Sequence, residues 1–257
     1  MVEARETFDE VAELYAQVRP GYPAALFDDL VSLAGLAPAA RVLEVGCGTG
    51  QATNHLARRA GRVVAIDPGE RLIAQARRRI VAANVEFRVA TFEAADLAAR
   101  AFDLIASAQA WHWVDAETGH AKAADLLAEG GALVIFGHVP MAVPAPFEAG
   151  FKRAFDRHAP GVWGAPSPMA AYLPDGPFPG QIAASGRFEP AVHRSYDWVW
   201  DVDPETFGRY LRTDSAYHFL AERERFALFD ELSAAVAENG GSIRFPWQTH
   251  LYVARRR

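Results

Sequence analysis

From residue 41 to residue 136 short apolar runs alternate with longer helical patterns, and no other feature of the chain constrains its fold as much. Residues 41–45 read as a strand opening into a glycine loop, with a helix expected over 51–60. A second strand over 62–66 ends at Asp67. Residues 70–83 then repeat apolar positions at Leu72, Ile73, Ala76 and Ile80 with arginines on the other face, the period of an amphipathic helix. Third, fourth and fifth strands are expected at 85–89, 102–107 and 131–136, with a helix around 116–128 between the last two. Parallel strands need a long crossover, and a helix supplies it, so this order predicts βαβ units in an α/β, doubly wound, Rossmann-like sheet.

Beyond residue 136 the texture changes. Ten prolines fall between Pro140 and Pro190, which predicts an inserted cap at 140–189 with short helical patches such as 147–157. Regular patterns return with a strand at 192–200, helices at 204–211 and 222–238, a turn at Asn239-Gly240-Gly241 and a final strand at 243–253. With 257 residues, 51% hydrophobic and 23% charged, the chain can bury a core and lies far from the composition of disorder or collagen.

Several function classes are disfavoured by charge and residue usage. A net charge of −6 offers no basic field for a phosphate backbone, and the Arg255-Arg256-Arg257 tail reads as a solvated end, so nucleic acid is not an expected partner. The single cysteine, Cys47, excludes an internal disulfide. The scattered histidines carry no HExxH pattern, so no metal is expected. The longest uncharged stretch, 130–147, is interrupted by His138, Pro140, Pro144 and Pro146 and reads as a strand running into a loop, not a membrane span. Acidic residues throughout 1–13 leave no apolar core for a secretory signal, and a reducing, cytoplasmic setting is expected.

The chemistry is concentrated at Glu44-Val45-Gly46-Cys47-Gly48-Thr49-Gly50. This loop sits where the first strand turns into the first helix, so its glycines allow a ligand close approach to backbone N–H groups. Asp67 follows Gly46 by 67 − 46 = 21 residues at the end of the next strand, the place of a carboxylate that accepts hydrogen bonds from ribose hydroxyls. A dinucleotide fingerprint would have its third glycine where this chain has Gln51, which disfavours nicotinamide cofactors.

Residues 44–50 resemble the first motif of the class I S-adenosylmethionine-dependent methyltransferases. The segments Tyr15-Ala16-Gln17-Val18-Arg19-Pro20-Gly21-Tyr22-Pro23 and Ala108-Gln109-Ala110-Trp111-His112-Trp113 resemble the small-molecule branch that includes trans-aconitate methyltransferase-like proteins. The resemblance implies one domain over 1–257 with a mostly parallel seven-stranded sheet and an antiparallel last strand. Its core would be 30–139 and 190–257, with an N-terminal lid at 1–29 and the substrate cap at 140–189. It implies S-adenosyl-L-methionine as cofactor. Gly46, Cys47, Gly48 and Gly50 would pass beneath the methionine part, and Glu44 would hold the loop or approach the amino group. Asp67 would bind the ribose, with Pro68 near the adenine. Many relatives place an aspartate after the third strand. This chain has Thr91, followed by Phe92 and Glu93, so adenine would be held there by backbone and apolar contact.

The remaining candidates each carry two readings. Tyr15 and Arg19 share one helix face, either as packing or as a lid in which Arg19 meets a carboxylate of cofactor or substrate. Gln109, Trp111, His112 and Trp113 follow the fourth strand at the ligand-binding edge of the sheet, and His112 either orients the acceptor or acts as a base. Tyr196, Trp198 and Trp200 read mainly as packing, while Arg212 and Tyr217, with His218 beside them, are candidates for contact with a polar substrate. The resulting expectation is methyl transfer to a small-molecule acceptor, a carboxylate oxygen ahead of a hydroxyl or amine, by a monomer or homodimer. A non-catalytic S-adenosylmethionine-binding regulator is the alternative.

Overall fold

The structure, a computed structural model, describes residues 11–165, 167–214, 217 and 219–257. Residues 1–10 of the expected lid and His218 lie outside them. Helices α1 (Ala12–Val18) and α2 (Ala24–Ala34) precede β1 (Arg41–Val45), α3 (Thr53–Ala57), β2 (Arg62–Asp67), α4 (Glu70–Arg79), β3 (Val85–Val89) and β4 (Phe102–Ala108). A short 3₁₀ turn (Trp111–Trp113) leads to α5 (Ala116–Leu126) and β5 (Leu127–Pro140). Then come α6 (Ala145–His158), a 3₁₀ turn (Pro168–Tyr172), α7 (Pro177–Ala184), β6 (Val192–Val202), α8 (Pro204–Leu211), α9 (Glu222–Glu238) and β7 (Ile243–Arg255).

The strands form one seven-stranded sheet in the order β3-β2-β1-β4-β5-β7-β6. Strands β1 to β5 pair in parallel, and β7 inserts antiparallel between β5 and β6, so only the last strand of the chain is reversed. The order turns back on either side of β1, and doubly wound sheets open a crevice at the carboxyl ends of such strands.

Side-chain alternation divides the core between the two faces of the sheet. Val42, Val63, Leu104, Val134 and Leu251 point to the face covered by α2 and α3, where Leu26, Phe27, Leu30 and Leu56 are buried. Their neighbours Leu43, Val64, Ile105, Leu133 and Tyr252 point to the face covered by α5, α7 and the 3₁₀ turns. Strands buried on both faces read as unbroken apolar runs, which is why they were legible from residue types alone. A third cluster lies beyond the sheet's end. It joins Val18 of α1, Phe147 and Phe151 of α6, Phe207 of α8, and Leu228, Phe229 and Leu232 of α9 to Ile243, Phe245 and Trp247 of β7.

Helices α3 and α4 stop short of their sequence patterns, each for a local reason. Helix α3 stops at Ala57, and the Asn84 side chain donates from Nδ2 to the Ala57 and Ala60 carbonyls at 2.8 and 2.9 Å, satisfying its open end. Helix α4 stops before Ile80, whose backbone turns extended while its side chain packs beneath Gly50. Strand β5, in contrast, runs on to Pro140 because β7 pairs with it as far as Pro140–Trp247. Among the described residues no helix is long and apolar enough to cross a membrane, and no cluster of His, Cys, Asp or Glu is arranged to hold a metal.

Candidate active site

A cleft of about 1380 Å³, counted to its open mouth, lies over the carboxyl ends of β1, β2, β3 and β4. Its floor is the glycine loop. The Gly46 and Cys47 amides both donate to the Ile66 carbonyl, at 2.9 and 3.0 Å, so the loop leaves β1 still fastened to β2. Gly46 has φ 71°, and a Cβ there would lie 2.2 Å from the Ala110 Cβ, so the position accepts glycine alone without rearrangement. Gly48 and Cys47 face the cleft, whereas Gly50 lies behind the loop against Ile80.

Asp67 stands across from this loop and ties it in place. Its Oδ2 accepts from the Gly48 amide at 2.9 Å and its Oδ1 from the Gly69 amide at 2.8 Å. Glu44 is fully buried at the end of β1, and neither of its carboxylate oxygens makes a well-formed hydrogen bond. Burial raises its pKa to about 8 and the Asp67 charge adds to the rise, while the nearby Thr53 hydroxyl works against it. The Cys47 thiol is pushed up by the same burial and the same two acids, which keeps it protonated and unsuited to attack.

These groups fit the cofactor implied by the resemblance. A buried carboxyl whose oxygens accept no well-formed hydrogen bond is suited to an ammonium, and Asp67 at the rim is suited to ribose hydroxyls. Pro68, Leu72, Phe92 and Val114 supply apolar wall for a base. Thr91 and Phe92 both line the cleft. Thr91 Oγ1 accepts from the Ala94 amide at 3.2 Å, and Phe92 is buried against Trp111, so one hydroxyl is engaged and the other contact is apolar.

The other wall comes from parts of the chain far apart in sequence. Arg19 donates from Nε to Thr213 Oγ1 at 2.9 Å and from Nη2 to the Thr213 carbonyl at 2.6 Å. Its guanidinium lies between the rings of Tyr15 and Tyr210, 4.9 and 4.6 Å from their centroids. Gln109 also lines the cleft, but its amide completes the β4–β5 ladder. Its Oε1 accepts from the His138 amide at 2.6 Å, and its Nε2 donates to the His138 carbonyl at 3.2 Å and contacts Met169 Sδ. The residue holds φ 57° to do so.

His112 and Trp113 line the cleft on the 3₁₀ turn, with His112 Nδ1 3.1 Å from the Tyr172 hydroxyl. Trp111, from the same turn, is 1% exposed and belongs to the core. Arg212 donates to Asp230 at 2.9 Å and stacks on Phe226, while Tyr217 packs against Phe155 and Phe229. Neither is among the cleft-lining residues.

Several lining residues had no sequence signal. His138, Met169, Tyr210, Asp214 and Trp247 all face the cleft, and Tyr22, from the segment 15–23 that carries the resemblance, faces it with them. Burial lowers the His138 pKa to about 3, so this ring is neutral and far too weak a base to take a proton at neutral pH. It stacks on Tyr22 at 4.4 Å and shares a hydrogen bond with Thr249 Oγ1. Gln51 was within reach of sequence reasoning, since it follows the glycine loop directly, and it too lines the cleft.

Residues 42–131 match a family model described as a methyltransferase domain. The trans-aconitate 2-methyltransferase of Variovorax paradoxus is 31% identical over 217 residues, covering 77% of this chain and 81% of that protein. An uncharacterized methyltransferase of Mycobacterium tuberculosis is 34% identical over 127 residues, or 49% of this chain, and the chain spans about half (50%) of that relative's length. Among solved structures, a chain described as a type II methyltransferase, from Anaeromyxobacter dehalogenans, superimposes with a TM-score of 0.64 at 27% identity, covering 92% of this chain and 97% of its own.

Proposed function

The chain belongs to the class I S-adenosylmethionine-dependent methyltransferases, and on that premise we propose that it methylates an oxygen of a small polar molecule, a carboxylate before any other. The observation that carries the reading is Arg19. Its guanidinium is held between Tyr15 and Tyr210 and anchored by Thr213 at the cleft wall, a permanent positive charge suited to a carboxylate.

The cofactor supplies a methyl group on a sulfonium, a centre that needs only a nucleophile in line and a place to leave. The work left to this chain is therefore positioning and exclusion of water. Glu44, the glycine loop from Gly46 to Gly50, and Asp67 with Pro68 would hold the cofactor, with Thr91 and Phe92 at its base. Arg19 serves at the boundary of cofactor and acceptor. Tyr15, Trp113 and His112 would close on the reacting oxygen, His112 by donating a hydrogen bond, and Gln109 with Trp111 would keep that turn in register. Arg212 and Tyr217 would act from behind, steadying the helices of the third cluster. The acceptor is a small molecule. Nucleic acid is not a partner in this reading, the protein acts as a monomer or homodimer, and its setting is the cytoplasm.

Two measurements test this. S-adenosylhomocysteine should bind with micromolar affinity, roughly −8 kcal/mol by calorimetry, while NAD gives no measurable heat. Tight NAD binding would overturn the cofactor assignment. With an acceptor in hand, the transfer rate should stay nearly flat from about pH 6.5 to 9, since a carboxylate of pKa about 4 and an arginine keep their charges across that span. His112→Ala should lower the rate at every pH without reshaping the profile. A rate that climbs through a pKa near 6.5, and loses that climb in His112→Ala, would make His112 a base acting on a hydroxyl or amine.

A further inference from the structure

Tyr172 stands against His112 from 60 residues away in sequence, at the end of the 3₁₀ turn Pro168–Tyr172. It is fully buried, with its hydroxyl 3.1 Å from His112 Nδ1 and the two rings edge to face at 5.7 Å. The ring cannot swing away. The Tyr252 hydroxyl donates to the Tyr172 carbonyl at 2.9 Å, and Phe178 packs on the ring at 5.0 Å. Gly137 lies so close beneath that a Cβ there would come within 2.6 Å of two ring carbons.

A phenol oxygen has one proton to give and a limited capacity to accept. Burial pushes the phenol's pKa far up, so the proton stays on it, and among the described residues His112 Nδ1 is the hydrogen-bond partner of this buried hydroxyl. His112 Nδ1 is then the acceptor for the O–H. A neutral imidazole carries one proton, and with Nδ1 accepting, that proton sits on Nε2.

We propose that Tyr172 is a positioning residue that holds His112 in its Nε2–H tautomer, so that the imidazole offers the acceptor a hydrogen-bond donor and not a base. This deepens the carboxylate reading and rests on it, because an acceptor that is already ionised is served by a donor. It also gives the segment between β5 and β6 a part in the chemistry. The turn that carries Tyr172 carries Met169, which lines the cleft and touches Gln109, so its docking shapes the wall and sets the tautomer together.

The test needs no acceptor. In protein labelled with ¹⁵N-histidine, long-range ¹H–¹⁵N correlation reads which ring nitrogen carries the proton, and loss of one signal set in His112→Gln assigns it. Wild type should show the Nε2–H tautomer alone. Tyr172→Phe, which keeps the ring and removes only the donor, should raise the Nδ1–H population several-fold. A wild-type Nδ1–H signal would overturn the proposal, and so would an unchanged tautomer in a folded Tyr172→Phe. Should that variant not fold, the wild-type spectrum decides alone. The pH profile of methyl transfer judges the carboxylate reading separately, so failure of either is recognisable.

Discussion

Asp67→Ala is expected to weaken S-adenosylhomocysteine binding about ten- to a hundredfold, or roughly 1.5–3 kcal/mol, the usual worth of hydrogen bonds to a charged group. The structure adds a second reason for a loss. Asp67 accepts from both the Gly48 and Gly69 amides, so its removal frees the glycine loop as well as removing the carboxylate expected at the ribose. Asp67→Asn should therefore also bind poorly, because an amide side chain turns a donor toward one of those two N–H groups. The sheet does not depend on this residue at the cleft rim, and both variants should fold. Calorimetry with a parallel thermal melt measures both quantities. Wild-type affinity in a folded Asp67→Ala would mean that the ribose lies elsewhere.

The second large effect is a pH dependence of the stability of the cofactor-free protein, set by Glu44. Its pKa is about 8 in the fold against 4.5 for a carboxyl in water, with burial as the main cause. Between those values the unfolded chain has released the proton and the folded chain has kept it. The unfolded state therefore binds fewer protons, and stability must fall as pH rises through that window. The difference reaches on the order of 3 kcal/mol at pH 7. Glu44→Gln removes the titration, so it should flatten stability between pH 5 and 8 and leave the cofactor-free protein more stable at pH 8 than wild type. Chemical denaturation across pH measures this. A wild-type curve that rises over the same range would show that Glu44 ionises in the fold at ordinary pH. A bound ligand carrying an ammonium should draw the proton off Glu44, and calorimetry in buffers of different ionisation enthalpy would detect its release. A pocket acid kept at this cost to stability is what a cation-binding position requires.

Much of the first half was legible because each of its elements reports itself locally. Strands β1 and β3 fall at their sequence-derived limits, and α8 and α9 do as well, since apolar period and flanking proline or glycine are properties of a few adjacent residues. The shortfalls at α3 and α4 arose where a partner distant in sequence intervened, Asn84 in one case and the packing of Ile80 under Gly50 in the other.

The candidate site divides along the same line. The sequence by itself determined the loop from Gly46 to Gly50, the acid at the end of β2 and the edge of the sheet at which a ligand must sit, because a close backbone turn and strand order depend on residue type and spacing. Only the tertiary structure decided which side chains face the cleft. It set Gln109 to completing a strand ladder and drew Trp111 into the core. It sent Arg212 to Asp230, away from the cleft. It also brought Tyr172 to His112, Tyr210 and Thr213 to Arg19, and His138 to the back wall. The physical reason is that these pairings are made by the third hydrophobic cluster and by the segment between β5 and β6. Their packing depends on shape complementarity between helices far apart in the chain, and no local pattern of residue types encodes that.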